Sequence, residues 1–256
     1  MEQDLVYDIG MHKGEDTVHF LREGFRVLAI EADPVLVEQA AKKFETAIKE
    51  RRLAILNIGI GTEEGTLPFY RNHRLSEWSS FNKDFGTRNG TSYDVIEVKC
   101  TTLDKVIYEY GIPYYMKIDI EGFDHVCVES LDPAKEIPKY ISCEATDINL
   151  LHLLKEKGYK KFKIISQSNS YNPLSLTQEA SPLFYKAQIV KMGIKLRLQK
   201  LLPFRHLYGS SGPFAESTKG SWLGYAEAKE IFHSFRFGKN GGPLNNNSWF
   251  DFHATY

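Results

Sequence analysis

Residues 8–14 read DIGMHKG, and they join the first apolar run, residues 5–10, to a stretch with helical periodicity. A strand, a glycine-containing turn and a helix in this order are typical of the first unit of an open α/β sheet. Such a turn borders the ligand crevice at the carboxyl ends of the strands. Gly10 would let the backbone approach a ligand, and Gly14 would let the helix begin close to the sheet. The stretch therefore predicts a ligand-binding α/β fold.

The alternation of β-branched runs and helical periods continues to about residue 167. It predicts strands over residues 26–32, 53–61, 95–100, 115–121, 140–145 and 162–167, and helices over residues 14–24, 34–48, 103–110, about 123 onward and 148–157. This pattern of βαβ units predicts a mainly parallel sheet of about six strands with helices on both faces. Residues 65–70 are predicted to be an added extended segment, and residues 72–92 are polar and irregular.

Beyond residue 167 the alternation fails, and residues 168–220 contain four prolines. We predict that residues 1–167 form the core, and that residues 168–256 form a C-terminal insertion or lid with a late helix that completes the same domain. The interval 180–215 has six Lys or Arg and no acid. This pattern is typical of a solvated helix face; an acidic acceptor, a partner or a membrane surface is the alternative. The chain ends in predicted Asn- and Gly-rich turns and the segment WFDFHATY, residues 249–256.

Composition and charge limit the classes of partner. The 256 residues include 32 Lys and Arg against 33 Asp and Glu, a net charge of −1, which gives no overall attraction to nucleic acid. The N-terminus carries acids where a signal peptide has basic residues, and no run of 18 apolar residues indicates a transmembrane segment. Cys100, Cys127 and Cys143 lie in apolar runs, which suits reduced core thiols. We expect a cytoplasmic protein.

The spacing of the first turn, D-x-G-x-x-x-G, differs from the G-x-G-x-x-G of dinucleotide sites and lacks the GK[ST] of a P-loop. Glu31 lies at the end of the second predicted strand, 21 residues after Gly10. An acid at this place can accept hydrogen bonds from both hydroxyls of a ribose. Together these features indicate a nucleoside-bearing ligand without a diphosphate. The alternative is that Asp8 and Glu31 only cap strand ends.

Five motifs carry a family resemblance: DIGMHKGEDT from residue 8, AIEADP from 29, NIGIGTEEGTLPFY from 57, TTLDKVIYEYGIPYYMKIDIEG from 101 and ISCEA from 141. In this order and spacing they resemble the FkbM family of S-adenosylmethionine-dependent methyltransferases, over residues 4–167. The resemblance implies a class I, Rossmann-like methyltransferase fold. It also implies O-methylation of a hydroxyl on a sugar, glycan or polyketide-like small molecule.

The resemblance also implies which residues hold the methyl donor. The glycine turn would surround the methionine part, Glu31 would hold the ribose, and the turn at residues 59–61 would face the adenine through backbone contacts. The donor residues implied in this way are Asp8, Gly10, His12, Gly14, Thr17, Glu31, Ala32, Gly59, Ile60 and Asp119.

Lys117, Asp119 and Glu121 alternate along one predicted strand and so share a face. Three charges on one face of an interior strand are costly unless the strand end borders an open crevice, where Lys117 can neutralise an acid. Glu144 ends the next strand. We predict Asp119 or Glu144 as the base that takes the acceptor proton, with Glu121 in reserve. The alternatives are that Glu121 caps a helix and that Lys117 forms a structural ion pair.

Two adjacent acids also raise the question of a metal. Asp119 and Glu144 offer oxygen ligands that suit Mg²⁺ or Mn²⁺ better than Zn²⁺. The sequence leaves a metal site and a metal-free base site equally open.

Two aromatic segments outside the βαβ pattern are candidates for the acceptor pocket. Trp78, Ser79 and Ser80 lie in residues 74–88, and Trp249 and His253 lie near the C-terminus. Aromatic faces with polar edges suit a sugar ring or other polyol, and His253 is predicted to relay the departing proton near neutral pH. The alternative is that these rings complete the edge of the core.

Two other functions compete with methyl transfer. An NAD(P)-dependent short-chain oxidoreductase or epimerase also begins with a strand, a glycine turn and an acid after the second strand. A catalytically inactive nucleoside-binding partner protein is the other alternative, and loss of the strand-end acids would favour it.

Overall fold

The structure, a computed structural model, describes residues 1–167, 171–176, 210–237 and 249–256, with single positions between 187 and 198. Most of the basic interval 180–215, together with residues 168–170, 177–179 and 238–248, lies outside the described residues. The chain forms two compact units, Met1–Lys139 and Tyr140–Tyr256. The predicted boundary at residue 167 and the role of residues 168–256 as a lid stay predictions.

The first unit contains strands from two sheets. Its strands are β1 (Glu2–Ile9), β2 (Arg26–Ile30), β3 (Leu53–Leu56), β4 (Gly59–Ile60), β5 (Gly65–Asn72), β6 (Tyr93–Thr101) and β7 (Pro113–Ile118). Four of them form a parallel ladder in the order β3–β2–β1–β7. The last five residues of β1 are all buried, as expected for an interior strand covered on both faces.

The helices of this unit lie in the segments that follow its strands. They are α1 (Glu15–Arg22), α2 (Pro34–Lys43), α3 (Glu45–Lys49), α4 (Lys83–Gly86), α5 (Leu103–Tyr110) and α6 (Asp124–Glu129). The start of α2 is encoded locally, because the Asp33 side chain accepts a hydrogen bond from the Val35 amide at 2.8 Å and Pro34 occupies the first turn. Parallel strands with helical crossovers make this a Rossmann-like α/β fold, and the predicted fold class is confirmed.

Two strand predictions are corrected by the second sheet, which has the order β4–β6–β5. The predicted strand 53–61 is two strands in different sheets, because β4 pairs with β6. The predicted strand 95–100 lies in this sheet and not in the main one. The strand predicted to reach Glu121 ends at Ile118. The predicted helix 34–48 is likewise two helices, which meet at Phe44.

The second unit contains β8 (Tyr140–Glu144), α7 (Ile148–Glu156), β9 (Lys161–Ser166), β10 (Asn172–Pro173), α8 (Tyr225–Phe237) and β11 (Phe250–Thr255). β11, in the terminal WFDFHATY segment, lies antiparallel between β8 and β9 and was not predicted as a strand, and the predicted Asn- and Gly-rich turns before it lie outside the described residues. Phe252 packs against Phe232 and Phe250 against Phe235, with ring centroids 5.3 and 6.1 Å apart. These contacts join α8 to β11.

Two predictions about the whole chain can be compared with the described residues. Cys100, Cys127 and Cys143 are buried and free, as predicted. Within the described ranges, no helix has the length and apolar character needed to cross a membrane.

Candidate functional site

The turn after β1 can be built only with glycine at its first position. Gly10 has φ +81°, and a Cβ there would lie 1.9 Å from the carbonyl oxygen of Asp119. The amides of Gly10 and Met11 both donate to the carbonyl of Ile30, at 3.0 Å each. The turn is thereby held against the ends of both β2 and β7.

Gly14 closes the turn immediately before α1. Its φ is +73°, and a Cβ there would lie 2.5 Å from the ring of Phe44. This close approach seats the N-terminus of α1 against the α2–α3 junction. Lys13, between the two glycine constraints, is exposed.

A buried cluster of charges lies beneath the turn. The Lys117 ammonium is 3.3 Å from Asp8, 3.6 Å from Asp119 and 3.8 Å from Asp16, and it donates to the carbonyl of Gly10 at 2.9 Å. The Thr17 hydroxyl donates to Asp8 at 2.6 Å. Lys117 thus has the structural ion-pair role that the sequence left as an alternative, and it fixes the turn from below.

Burial and charge oppose each other in this cluster. Burial raises the pKa of Asp8 to about 6, with Lys117 acting in the opposite direction. Burial alone would lower the pKa of Lys117, but the carboxylates of Asp8, Asp119 and Asp16 raise it well above its ordinary value. Lys117 is therefore a permanent cation in this site.

Glu31 follows β2 and faces the glycine turn. One carboxylate oxygen accepts the amide of His12 and the other accepts the amide of Asp33, both at 2.8 Å. Asn57 donates to the carbonyls of Glu31 and Ala32, at 2.9 and 3.1 Å, and holds this segment. Burial raises the pKa of Glu31 to about 7, although the two amides lower it.

His12 joins the glycine turn to the segment that follows β5. Its backbone is left-handed, with φ +53°, which aims the ring at Ser76. The ring Nε2 and the Ser76 hydroxyl are hydrogen-bonded at 2.8 Å, and Nδ1 is 3.5 Å from Glu15. The sequence analysis did not identify Ser76 as a partner of the turn.

The two acids after β7 have different surroundings. Asp119 is one-third exposed and pairs with Lys117. Glu121 is left-handed, with φ +47°, and its carboxylate accepts a hydrogen bond from Arg88 at 2.8 Å. Burial and the charge of Asp119 raise the pKa of Glu121 to about 8, although Arg88 lowers it.

The segment that contains Trp78 is organised by Asn72 at the end of β5. The Asn72 amide donates to the carbonyl of Gly86 at 2.8 Å and to the Thr91 hydroxyl, and its oxygen accepts the amides of residues 74 and 75. Ser79 accepts the amide of Asn72 at 3.0 Å. These bonds explain why a polar stretch holds a fixed shape.

Ser80 and Trp78 have separate environments in this segment. Ser80 is buried, and its hydroxyl donates to the carbonyl of Glu121 at 2.7 Å, so it fixes backbone rather than facing a crevice. Trp78 is half-buried, with the Arg88 guanidinium 4.6 Å from its ring centroid. Sequence reasoning missed Arg88 and Asn72, because neither belongs to a recognisable motif.

The residues predicted to face the adenine lie in the small sheet. Gly59 and Ile60 pair with Cys100 and Thr101, and both are buried. A Cβ on Gly59 would lie 2.3 Å from the ring of Phe81. This glycine therefore makes room for the Phe81 side chain.

The remaining predicted residues belong to the second unit. Glu144 is half-buried at the end of β8, opposite Asp251 of β11. Trp249 is exposed and His253 is buried. Burial, and then the charge of Lys163, lower the pKa of His253 to about 3. The prediction that this imidazole relays a proton near neutral pH is therefore corrected.

Among the residues that the structure describes, no three His, Cys, Asp or Glu side chains form a cluster suited to a metal ion.

Solved structures with a similar fold are distant. A methyltransferase FkbM from Methylobacillus flagellatus KT is 14% identical; the match covers 63% of this chain and 40% of that protein, with a TM-score of 0.44. A SAM-dependent methyltransferase from Thiobacillus denitrificans, solved with S-adenosyl-L-homocysteine, is 10% identical over 99% of this chain and 85% of that one, with a TM-score of 0.36. A precorrin-6y C5,15-methyltransferase from Geobacter metallireducens GS-15 is 12% identical over 67% and 73%, also with a TM-score of 0.36.

A comparison with curated proteins gives no match. The model of the Methyltransferase FkbM domain matches residues 8–161, which is more than half of the chain and begins at Asp8, two residues before the glycine turn. The resemblance carried by the five sequence motifs is thus confirmed. This protein belongs to the FkbM family of S-adenosylmethionine-dependent methyltransferases.

Proposed function

We propose that this protein is an O-methyltransferase that acts on a hydroxyl group of a sugar, glycan or polyketide-like small molecule. The observation that carries the proposal is Glu121, a largely buried carboxyl at the end of β7 whose pKa is raised to about 8 by burial and by Asp119. A carboxyl that titrates near neutral pH is suited to take the proton of an attacking hydroxyl. Asp119 is the partner of Lys117, which leaves Glu121 as the better base.

The donor set at the ends of β1 and β2 fits S-adenosylmethionine. Each Glu31 oxygen accepts one backbone amide and keeps acceptor capacity for a ribose hydroxyl. Asp119, one-third exposed beside the Gly10 turn, offers a carboxylate to an amino group. When bound there, S-adenosylmethionine supplies a methyl group on a sulfonium.

The chain's own residues then have three tasks. Lys117 holds the carbonyl of Gly10 and so fixes the turn. Glu31 would hold the ribose of the donor, and Asp119 would hold its amino group. Glu121 takes the proton of the acceptor hydroxyl at a carboxylate oxygen, because positioning and proton removal are what the transfer requires of the protein.

The acceptor side of the proposal rests on fewer contacts. Trp78 offers a half-buried ring beside Arg88 and near the Glu121 carboxylate. A ring face of this kind suits the apolar face of a sugar. Ser79, Glu144 and Trp249 stay predicted site residues, the metal site at Asp119 and Glu144 stays an untested alternative, and no step here passes through a metal. A cytoplasmic location and the absence of a nucleic-acid partner also stay predictions.

Calorimetry with S-adenosylhomocysteine and NAD tests the donor site. We expect S-adenosylhomocysteine to bind and NAD not to bind. Glu31→Ala should weaken binding by about 1–3 kcal/mol, since hydrogen bonds to a charged group are lost. Glu38→Ala, on the exposed face of α2, is the matched control and should bind as the wild type does. Tight NAD binding without S-adenosylhomocysteine binding would favour the oxidoreductase alternative.

Mass spectrometry of a cell extract incubated with the protein and S-adenosylmethionine tests the reaction. A hydroxylated product heavier by one methyl group is expected. Glu121→Gln should lower turnover at least tenfold without weakening S-adenosylhomocysteine binding, because the amide keeps the shape and loses the basicity. Methylation only of nitrogen, sulfur or carbon atoms would contradict the proposal, and loss of activity with EDTA would restore the metal hypothesis.

A further inference from the structure

Arg88 connects the segment after β5 to the acid after β7. Its Nη2 donates to the Glu121 carboxylate at 2.8 Å, across 33 residues of sequence. Its guanidinium lies 4.6 Å from the ring centroid of Trp78 and 5.5 Å from that of Phe85. Two aromatic contacts and one charged hydrogen bond fix the plane of this side chain.

The charges that face Glu121 are unequal. Asp119 and Asp124 are anions and disfavour a second negative charge, whereas Arg88 is the cation bonded to the Glu121 carboxylate. Lys117 is engaged with Asp8, Asp16 and Asp119. Burial, Asp119 and Asp124 all favour the protonated form of Glu121, and Arg88 opposes them by favouring the ionised form.

The backbone of Glu121 is held by a different residue. Its left-handed conformation, φ +47°, is uncommon outside glycine. The Ser80 hydroxyl donates to its carbonyl at 2.7 Å. Since Ser80 holds the backbone and Arg88 holds the side chain, removal of Arg88 should free the carboxylate without moving the chain.

We infer that Arg88 is a positioning residue for methyl transfer, which orients the Glu121 carboxylate and favours its ionised form, the form that takes the acceptor proton. The inference rests on the proposed function, in which Glu121 is the base. Arg88 acts through Glu121 and through the rings of Trp78 and Phe85. A lysine would keep the charge but not the planar stacking, so Arg88→Lys is not a conservative change here.

A carboxyl titration tests the inference without any acceptor. The protein is labelled with ¹³C at the glutamate side-chain carboxyl, and Glu121→Gln assigns the resonance. In Arg88→Met, which retains an apolar stem, the pKa of Glu121 should rise by about one unit or more, as expected when an opposite charge is removed. Arg88→Lys should give a smaller rise. Arg74→Met, an exposed arginine of the same segment, is the control and should leave the titration unchanged.

Two further measurements separate this inference from the proposed function. Calorimetry with S-adenosylhomocysteine should give the same affinity for Arg88→Met and the wild type, which shows that the variant is folded. The second measurement uses as substrate the extract fraction whose hydroxyl the protein methylates. The acid limb of its pH–rate profile should move to higher pH in Arg88→Met, by the same number of pH units as the Glu121 pKa. An unchanged Glu121 pKa in folded Arg88→Met overturns the inference whether or not methyl transfer is found. A raised pKa with an unmoved acid limb overturns it as well.

Discussion

Lys117 and Asp8 are register partners on β7 and β1, and the Lys117 ammonium lies 3.3 Å from the fully buried Asp8 carboxylate. The same ammonium holds the carbonyl of Gly10 at 2.9 Å. One buried ion pair therefore connects two central strands to the turn that begins the donor site. A buried charge without its partner is strongly unfavourable, so this pair makes the geometry of the turn depend on a single cation.

Lys117→Met should destabilise the protein by about 3–5 kcal/mol in urea unfolding, because Asp8 and Asp16 would be left buried without their cation. This loss of unfolding free energy should become smaller as the pH falls toward about 6, because Asp8 has a pKa of about 6 in the wild type and, without Lys117, takes up its proton at a higher pH. Lys42→Met, which removes an exposed partner of Glu38, is the control and should change little. A similar small loss in both variants would show that Lys117 is not needed for the fold.

Gly10→Ala should lower the free energy of unfolding more than Gly24→Ala does, although both glycines have a left-handed backbone. Their φ angles are +81° and +91°, but a Cβ on Gly10 meets the Asp119 carbonyl whereas a Cβ on Gly24 meets nothing within 4 Å. The left-handed penalty alone is about 1–2 kcal/mol. We expect about that loss at Gly24, and a larger loss with weaker S-adenosylhomocysteine binding at Gly10. Equal losses in thermal unfolding would mean that the contact with Asp119 relaxes freely.

The first half of the site follows from local sequence. The turn after β1, the acid after β2 and the capped start of α2 are encoded within a few residues, and the structure places them where the pattern predicts. The last strand was not predicted, although Asp251, His253 and Thr255 alternate with apolar residues as in a strand, because one sequence does not show that β8 and β9 pair with both of its edges and bury its polar face. Burial of a polar face depends on tertiary neighbours.

The surroundings of Glu121 could not be predicted from the local sequence pattern either. Strict alternation predicted Lys117, Asp119 and Glu121 on one strand face, but β7 ends at Ile118 and Glu121 turns into a left-handed conformation. Its partner, Arg88, is 33 residues earlier, and no periodicity connects the two. Ion pairs between distant segments are set by the fold and cannot be read from one sequence.

Asn72→Ala should loosen the segment of residues 72–92 while leaving the donor site intact. The Asn72 side chain is buried and satisfies backbone groups of residues 74, 75 and 86. Its removal leaves buried polar groups without partners, at about 1–3 kcal/mol. We expect faster amide exchange across this segment and unchanged exchange in β1 and β2. Asn82→Ala, which removes only the cap of the short α4, is the control and should affect fewer amides.

His253 should remain neutral in the folded protein far below the usual titration range of histidine. Burial, aided by Lys163, lowers its pKa to about 3, and its Nε2 is buried without a hydrogen-bond partner among the residues the structure describes. Between about pH 6 and pH 4 the unfolded chain therefore binds one more proton at this residue than the folded chain. His253 therefore leaves the free energy of unfolding unchanged above the pKa of the unfolded chain. Below that pKa it lowers the free energy of unfolding by about 1.4 kcal/mol for each pH unit. In urea unfolding of His253→Gln, the decrease in unfolding free energy that this residue causes at acid pH should be absent. The ¹⁵N spectra of the wild type should show no titration of the His253 ring between pH 7 and pH 4. A ring that titrates between pH 5 and pH 7 would instead restore His253 as a proton relay.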